Sequence, residues 1–261
     1  NTDTPLPPDE PMGQNPPDGA VIDYWLASPA QNVTLEVLDG KGKLVRKNSS
    51  DDKVEPPKDI GNWPWYWIRP ARALPRDSGM HRFVWDLHYP PIPEKKPRFP
   101  IAAVPHDTAP DYTSPWVTPG TYSVKLTVDG RAYTQPLVIK MDPRVKTSAE
   151  SLQQQLSLSM TIYEDMKRVG AALEEFGAME EKARSAKEAK DIAGEEPEEE
   201  GPRRTEGPDT LTSLATSLRT LFEALQSADV APTTQMVDAV KDRHKAAELI
   251  VGRWQAYRKK R

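Results

Sequence analysis

Two residues capable of acid–base chemistry stand two apart in GMHRFVWDLHYP, residues 79 to 90: Asp86 and His88. In an extended strand, side chains alternate between faces, so Val84, Asp86 and His88 share one face and Phe83, Trp85, Leu87 and Tyr89 the other. A D-x-H pair could start a metal or general acid–base site, but such a site needs three or four convergent ligands, usually at short fixed spacing. The nearest further histidines in sequence are His81 and His106, and neither supplies that spacing. The large residues of the other face need a partner sheet. The stretch therefore reads as a core strand anchored by Trp85, with Asp86 accepting hydrogen bonds from nearby backbone N–H groups. Asp86 and His88 remain a minor polar candidate.

Other chemistry is weaker. Paired carboxylates for glycoside hydrolysis must face each other across a sugar-sized cleft, whereas the densest acidic run, GEEPEEEG, reads as a solvated linker. No serine lies in a G-x-S-x-G context. His106 and Asp107 are sequence neighbours, which points their side chains apart. DGKG (39–42) reads as a hairpin turn and not as a phosphate loop. The chain has no cysteine, which excludes disulfides, thiol catalysis and cysteine-ligated zinc. No catalytic residue, metal or cofactor is assigned. The aromatic cluster Trp63, Trp65, Tyr66 and Trp67, with Trp116 further on, is more informative. Its flat rings could stack on sugars, pack on a partner surface, or pin a long loop to the body of the domain.

The elements that must position these residues fall into two regions. Residues 1–19 form a proline-rich linker. AVIDYWL (20–26), NVTLEVLD (32–39), KLVRK (43–47), the stretch around 81–89, GTYSVKLTVDG (120–130) and RAYTQPLVIKM (131–141) read as strands. Asp129-Gly130 is a two-residue hairpin signal, and Pro136 marks a break or an edge position. Six or seven short strands with no helix between them predict an immunoglobulin-like antiparallel β-sandwich over 20–144. Two proline-laden connections, 48–78 and 90–118, are too long to be idle. They flank the same strand, and their aromatics suggest one docking surface.

From residue 145 onward the period changes to three and four. Thr147 reads as an N-cap with Glu150 completing a capping box. Leu152, Leu156, Met160 and Tyr163 open an amphipathic stripe; a second helix starts near Asp209 and a third after Pro232. No such helix can bury its stripe alone, so 145–261 predicts an antiparallel three-helix bundle, interrupted by a charged linker at 186–208. The basic end RWQAYRKKR reads as a helix C-terminus, where cations complement the dipole. Fold class is thus α+β in two parts.

The 261 residues carry a net charge of −4, which gives no general reason to bind nucleic acid. No apolar run approaches the ~20 residues of a membrane span. The chain begins at Asn1 without a Met and reads as a piece of a longer protein.

Taken together, NPPDGAVIDYWL, WIRP, GMHRFVWDLHYP, PWVTPGTYSVKLTVDGRAYTQPLVIKMDPRVKT and SADVAPTTQMVDAV resemble the C-terminal region of large bacterial BNR-repeat, sortilin-like propeller proteins, often labelled glycosyl hydrolases. The resemblance spans roughly residues 10 to 258. The β-sandwich strands also resemble immunoglobulin-like modules appended to secreted bacterial proteins. The resemblance implies an upstream β-propeller in the same protein, export to the periplasm or medium, and any hydrolase activity confined to that propeller, because the Asp-box pattern S-x-D-x-G-x-T-W is absent here. The expectation is a non-catalytic accessory region for domain docking, stabilisation or assembly. The alternatives are a carbohydrate-binding module using the Trp63–Trp67 loop, or a hydrolase whose active site lies in the missing propeller; a third is a hydrolase centred on Asp86 and His88.

Overall fold

The computed structural model describes residues 16–94, 96–100, 106–194 and 208–260. The chain divides into two compact units, with the division between Met141 and Asp142. The first contains two antiparallel sheets and the second is helical, an α+β architecture.

In the first unit, β1 (Ala20–Leu26) pairs with β4 (Gly79–Trp85), and β2 (Val33–Leu38), β3 (Leu44–Ser49), β5 (Gly120–Val128) and β6 (Arg131–Ile139) form a sheet in the order β3-β2-β5-β6. The alternation of apolar residues sets the inner faces. Tyr24 and Leu26 of β1, Val33, Leu35 and Val37 of β2, Trp85 of β4, and Tyr122 and Val124 of β5 are buried in one shared core. One turn sets the β5–β6 register. Asp129 and Gly130 both adopt positive φ between β5 and β6, the backbone that a two-residue hairpin of matching twist requires. The Asp129 carboxylate also accepts from the Gln31 and Asn32 N–H groups, tying the turn to the start of β2. Gly19 is needed for a different reason: a Cβ there would stand 2.2 Å from the Trp85 carbonyl oxygen. Pro136 lies on β6, an edge strand, where its missing N–H costs no ladder bond to a further strand.

The stretch 79–90 is not one continuous strand. β4 ends at Trp85, and Leu87 has φ 59°. The Asp86 side chain accepts from the His88 N–H at 3.1 Å, a local bond that competes with the ladder and turns the chain. The turn resets the alternation, so His88 is buried while Val84 is exposed. Residues beyond it pair with the second long connection: Val117 N–H donates to Leu87 O, Tyr89 N–H donates to Pro115 O, and His88 bridges Trp116.

In the second unit, the helices are α1 (Ala149–Gly177), α2 (Glu181–Arg184), α3 (Lys187–Ala193), α4 (Leu211–Gln226) and α5 (Thr234–Lys259). Ile162 and Val169 of α1, Leu214, Leu218 and Phe222 of α4, and Ile250 and Trp254 of α5 meet in one core. Two sequence expectations are corrected here. The N-cap of α1 is Ser148, whose hydroxyl accepts from Ser151 N–H, and not Thr147. The Thr147 hydroxyl, one residue before the cap, donates to the Asp229 carbonyl, 82 residues away. The segment read as a linker from 186 begins with a helix: α3 buries Ala189, Ile192 and Ala193 in the core. One aliphatic and two alanines on a single face suffice when the neighbours supply the rest of the apolar surface. Residues 195–207 of that expected linker, and residues 1–15 of the expected N-terminal linker, lie outside the described residues.

Candidate functional site

The turn after β4 assembles the polar candidate into an aromatic cage. His88 Nδ1 lies 2.6 Å from the Asp86 carbonyl oxygen, which can only accept, so Nδ1 carries the proton and Nε2 presents its lone pair. Nε2 is buried and has no hydrogen-bond partner among the described residues. The imidazole stacks on Tyr112 with centroids 3.7 Å apart and planes 11° apart, and tilts against Trp116 at 3.8 Å. Backbone bonds lock the cage: Trp85 Nε1 donates to His88 O, and Arg46 Nη1 and the Ser114 hydroxyl both donate to Tyr89 O. Burial lowers the His88 pKa, against the opposing pull of the Asp86 carbonyl and of the Asp86 and Asp18 carboxylates; Arg46 adds to the lowering. Burial, with Asp18 beside it, pushes the Tyr112 phenol up to about 12.

At neutral pH the cluster is therefore an uncharged imidazole enclosed by rings. Asp86 and His88 are brought together, but by a turn that uses the Asp86 carboxylate on backbone. Among the described residues no three His, Cys, Asp or Glu side chains converge to hold a metal ion.

The cage makes stability depend on pH. The folded-state pKa of His88 lies below the ordinary value of about 6.5, so the unfolded chain binds the proton more readily. The contribution is complete above pH ~6.5 and is lost as pH falls through the folded-state value. His88→Phe, which keeps a flat ring but cannot titrate, should show a shallower loss of stability between about pH 7 and 5 than the parent. Urea unfolding at several pH values measures both slopes. Equal slopes would show that the His88 proton is not linked to folding.

The second cluster lies on the two long connections, which pair with each other. His106 N–H donates to Tyr66 O, Thr108 N–H to Trp67 O and Arg69 N–H to Thr108 O, with Ile68 and Thr108 forming a parallel bridge. Arg69 Nε meets Asp107 Oδ1 at 2.8 Å, so Asp107 serves an ion pair between the loops and not His106. Under this tie Trp63, Ile60, Ile68 and Phe99 form a small apolar cluster. Trp63 lies edge-on to Trp67 at 5.8 Å and 6.0 Å from Phe99. The 3-10 turn Trp65–Trp67, entered through Pro64, then projects the two residues between the pins. Trp65 is 55% exposed and Tyr66 40%. The four aromatics thus divide into two that hold the loop and two that face solvent. Trp116 is split within itself, half-buried against His88 with part of its ring outward.

Sequence reasoning missed Tyr112 and Asp18 of the cage, and a polar cluster in the helical unit. Asp165 is fully buried; its carboxylate pairs with Arg168 and accepts from His244 Nδ1 at 2.8 Å. The His244 Nε2 lies 3.8 Å from Glu248 Oε1. This arrangement orients an imidazole and staples α1 to α5 through a charge-assisted bond. A signal existed: Asp165 sits on the buried stripe between Ile162 and Val169, where a lone charge demands a partner. Its partner, 79 residues away, could not be named from that spacing.

The fold and these loops define a two-unit α+β chain that presents a braced aromatic surface. No family model matches the chain, and no curated protein matches it. Among the described residues no helix is long and apolar enough to cross a membrane.

Proposed function

We propose that this chain is a non-catalytic accessory region that docks another domain through its paired loops. The observation that carries the reading is the exposure of Trp65 and Tyr66 on a turn whose flanking Trp63 and Trp67 are pinned. Rigid aromatics cost little entropy to engage, and Trp and Tyr dominate binding energy where they are desolvated. In this reading the partner is a β-propeller upstream in the same exported bacterial protein, as the motif resemblance implies, and the chain is periplasmic or secreted. The two sheets that share the Trp85 core act as an immunoglobulin-like sandwich, and α1, α4 and α5 as an antiparallel three-helix bundle.

The test is the double variant Trp65→Ala, Tyr66→Ala in the longer protein. Because both side chains are exposed, unfolding of the variant should stay within about 0.5 kcal/mol of the parent. Hydrogen exchange across 48–78 and 90–118 should be slow in the parent and at least tenfold faster in the variant, about the effect of losing one binding hot spot. Equal exchange in both proteins would refute docking through these loops. Quenching of tryptophan fluorescence by a soluble polysaccharide, abolished by Trp65→Ala, would instead favour the sugar-stacking use of the same turn.

A further inference from the structure

The outer face of the β1–β4 ladder is unlike an ordinary wet sheet face. An antiparallel sheet with one face on the core normally turns polar residues outward. Here the outward cross-strand pairs are Val21 with Val84, Asp23 with Arg82 and Trp25 with Met80. Trp25 is 64% exposed, Met80 69%, Val21 42% and Val84 36%. Between the two apolar pairs lies a bidentate ion pair, with Arg82 Nε 2.8 Å from Asp23 Oδ1 and Nη2 2.9 Å from Oδ2. The face is thus apolar, then ionic, then apolar, and neutral in sum.

We infer that this face is the contact between two copies of the chain, packed face to face about a two-fold axis parallel to the strands. That operation lays β1 of each copy over β4 of the other. Every outward residue then meets the type it already pairs with in its own ladder: Trp25 meets the second copy's Met80, Val21 its Val84, Asp23 its Arg82 and Arg82 its Asp23. Thioether on indole is a favourable contact. The four charges form an alternating ring, so neither carboxylate enters the interface without a guanidinium. A two-fold axis perpendicular to the strands would set Asp23 on Asp23 and Arg82 on Arg82, which like-charge repulsion forbids. The charge pattern therefore selects one isologous geometry, closed at two copies. A lipid surface fits poorly, since it offers no countercharges in the middle of the face. With only six side chains from each copy at its centre, the contact belongs to the weak, concentration-dependent class. It uses none of the aromatic-loop residues and does not depend on the docking reading.

The test is sedimentation velocity of the 261-residue chain from about 1 to 500 µM, a range that brackets weak association. The parent should move from monomer toward dimer across that range. Arg82→Asp and Asp23→Arg, each alone, set like charges against each other and should weaken association at least about tenfold. An equimolar mixture of the two should restore it, because the doubly acidic face of one complements the doubly basic face of the other, and the combined reversal in one chain should do the same. Trp25→Ser should weaken association without touching charge, and it carries the test if a reversal variant fails to fold. A parent that stays monomeric throughout overturns the inference. So does a dimer that survives both single reversals unweakened, or a pair of reversal variants that associate no better mixed than apart.

Discussion

Replacing Trp85 by alanine should lower the stability of the first unit by about 3–5 kcal/mol, the usual cost of truncating a large buried aromatic. Trp85 is fully buried at the end of β4, edge-on to Tyr122 with ring centroids 5.9 Å apart, in the core that both sheets share. Its loss leaves a cavity in the core that residues of both sheets line. The indole also makes a bond that no hydrocarbon replaces, from Nε1 to the His88 carbonyl at 3.0 Å. Trp85→Phe should therefore cost less than alanine but still about 1–3 kcal/mol beyond its lost volume, because the His88 carbonyl is left buried without that donor. Urea unfolding followed by the β-sheet circular dichroism signal separates the two variants. A parent-like midpoint for Trp85→Ala would remove Trp85 from the core.

A loss of similar size, about 3–5 kcal/mol, is expected for Trp254→Ala in the helical unit. Trp254 of α5 stacks on Tyr257 at 5.7 Å and meets Phe176 of α1 edge-on at 6.0 Å. Its Nε1 donates to Glu175 Oε2 at 2.8 Å, while Glu175 Oε1 pairs with Arg258 at 2.7 Å. Glu175 keeps Arg258 after the truncation, so the cost is chiefly packing. Trp254→Phe should then recover most of the loss, and Glu175→Gln, which keeps an acceptor, should cost under about 1 kcal/mol. The helical circular dichroism signal on heating reads these effects. If Trp254→Phe proved as damaging as alanine, the indole bond and not the packing would dominate.

Much of the secondary structure was legible because its causes are local. Strand β1 follows AVIDYWL from end to end, and Asp129-Gly130 forms the expected turn, since alternation and positive φ are properties of a few adjacent residues. The stripes of α1, α4 and α5 were equally readable at spacings of three and four. Other features depend on residues far along the chain. Thr147 looked like the cap, but the helix takes Ser148 instead, and the Thr147 hydroxyl reaches the Asp229 carbonyl 82 residues away. Segment 187–193 looked solvated until the core of the helical unit covered its one apolar face. The division of the aromatic loop into pins and exposed rings required Phe99 and the strand-like tie at Thr108, both from the other long connection.

The deepest limit is a symmetry of the strand itself. Period-two alternation shows that two faces exist, but it does not say which one a partner sheet will cover. In AVIDYWL every residue but Asp23 is apolar or aromatic, so composition alone does not separate the two faces. The sequence by itself determined that these seven residues form a strand. Only tertiary packing decided that Tyr24 and Leu26 turn inward and that Val21 and Trp25 stay outside with Asp23. The same holds for GMHRFVWDLHYP, where one carboxylate, Asp86, bonds backbone two residues on, ends the alternation and sends His88 inward. Local rules set the elements because each residue's neighbours in sequence are always present. The faces are set by neighbours in space, and for His88 those are Tyr112 and Trp116, which only the folded chain brings to it.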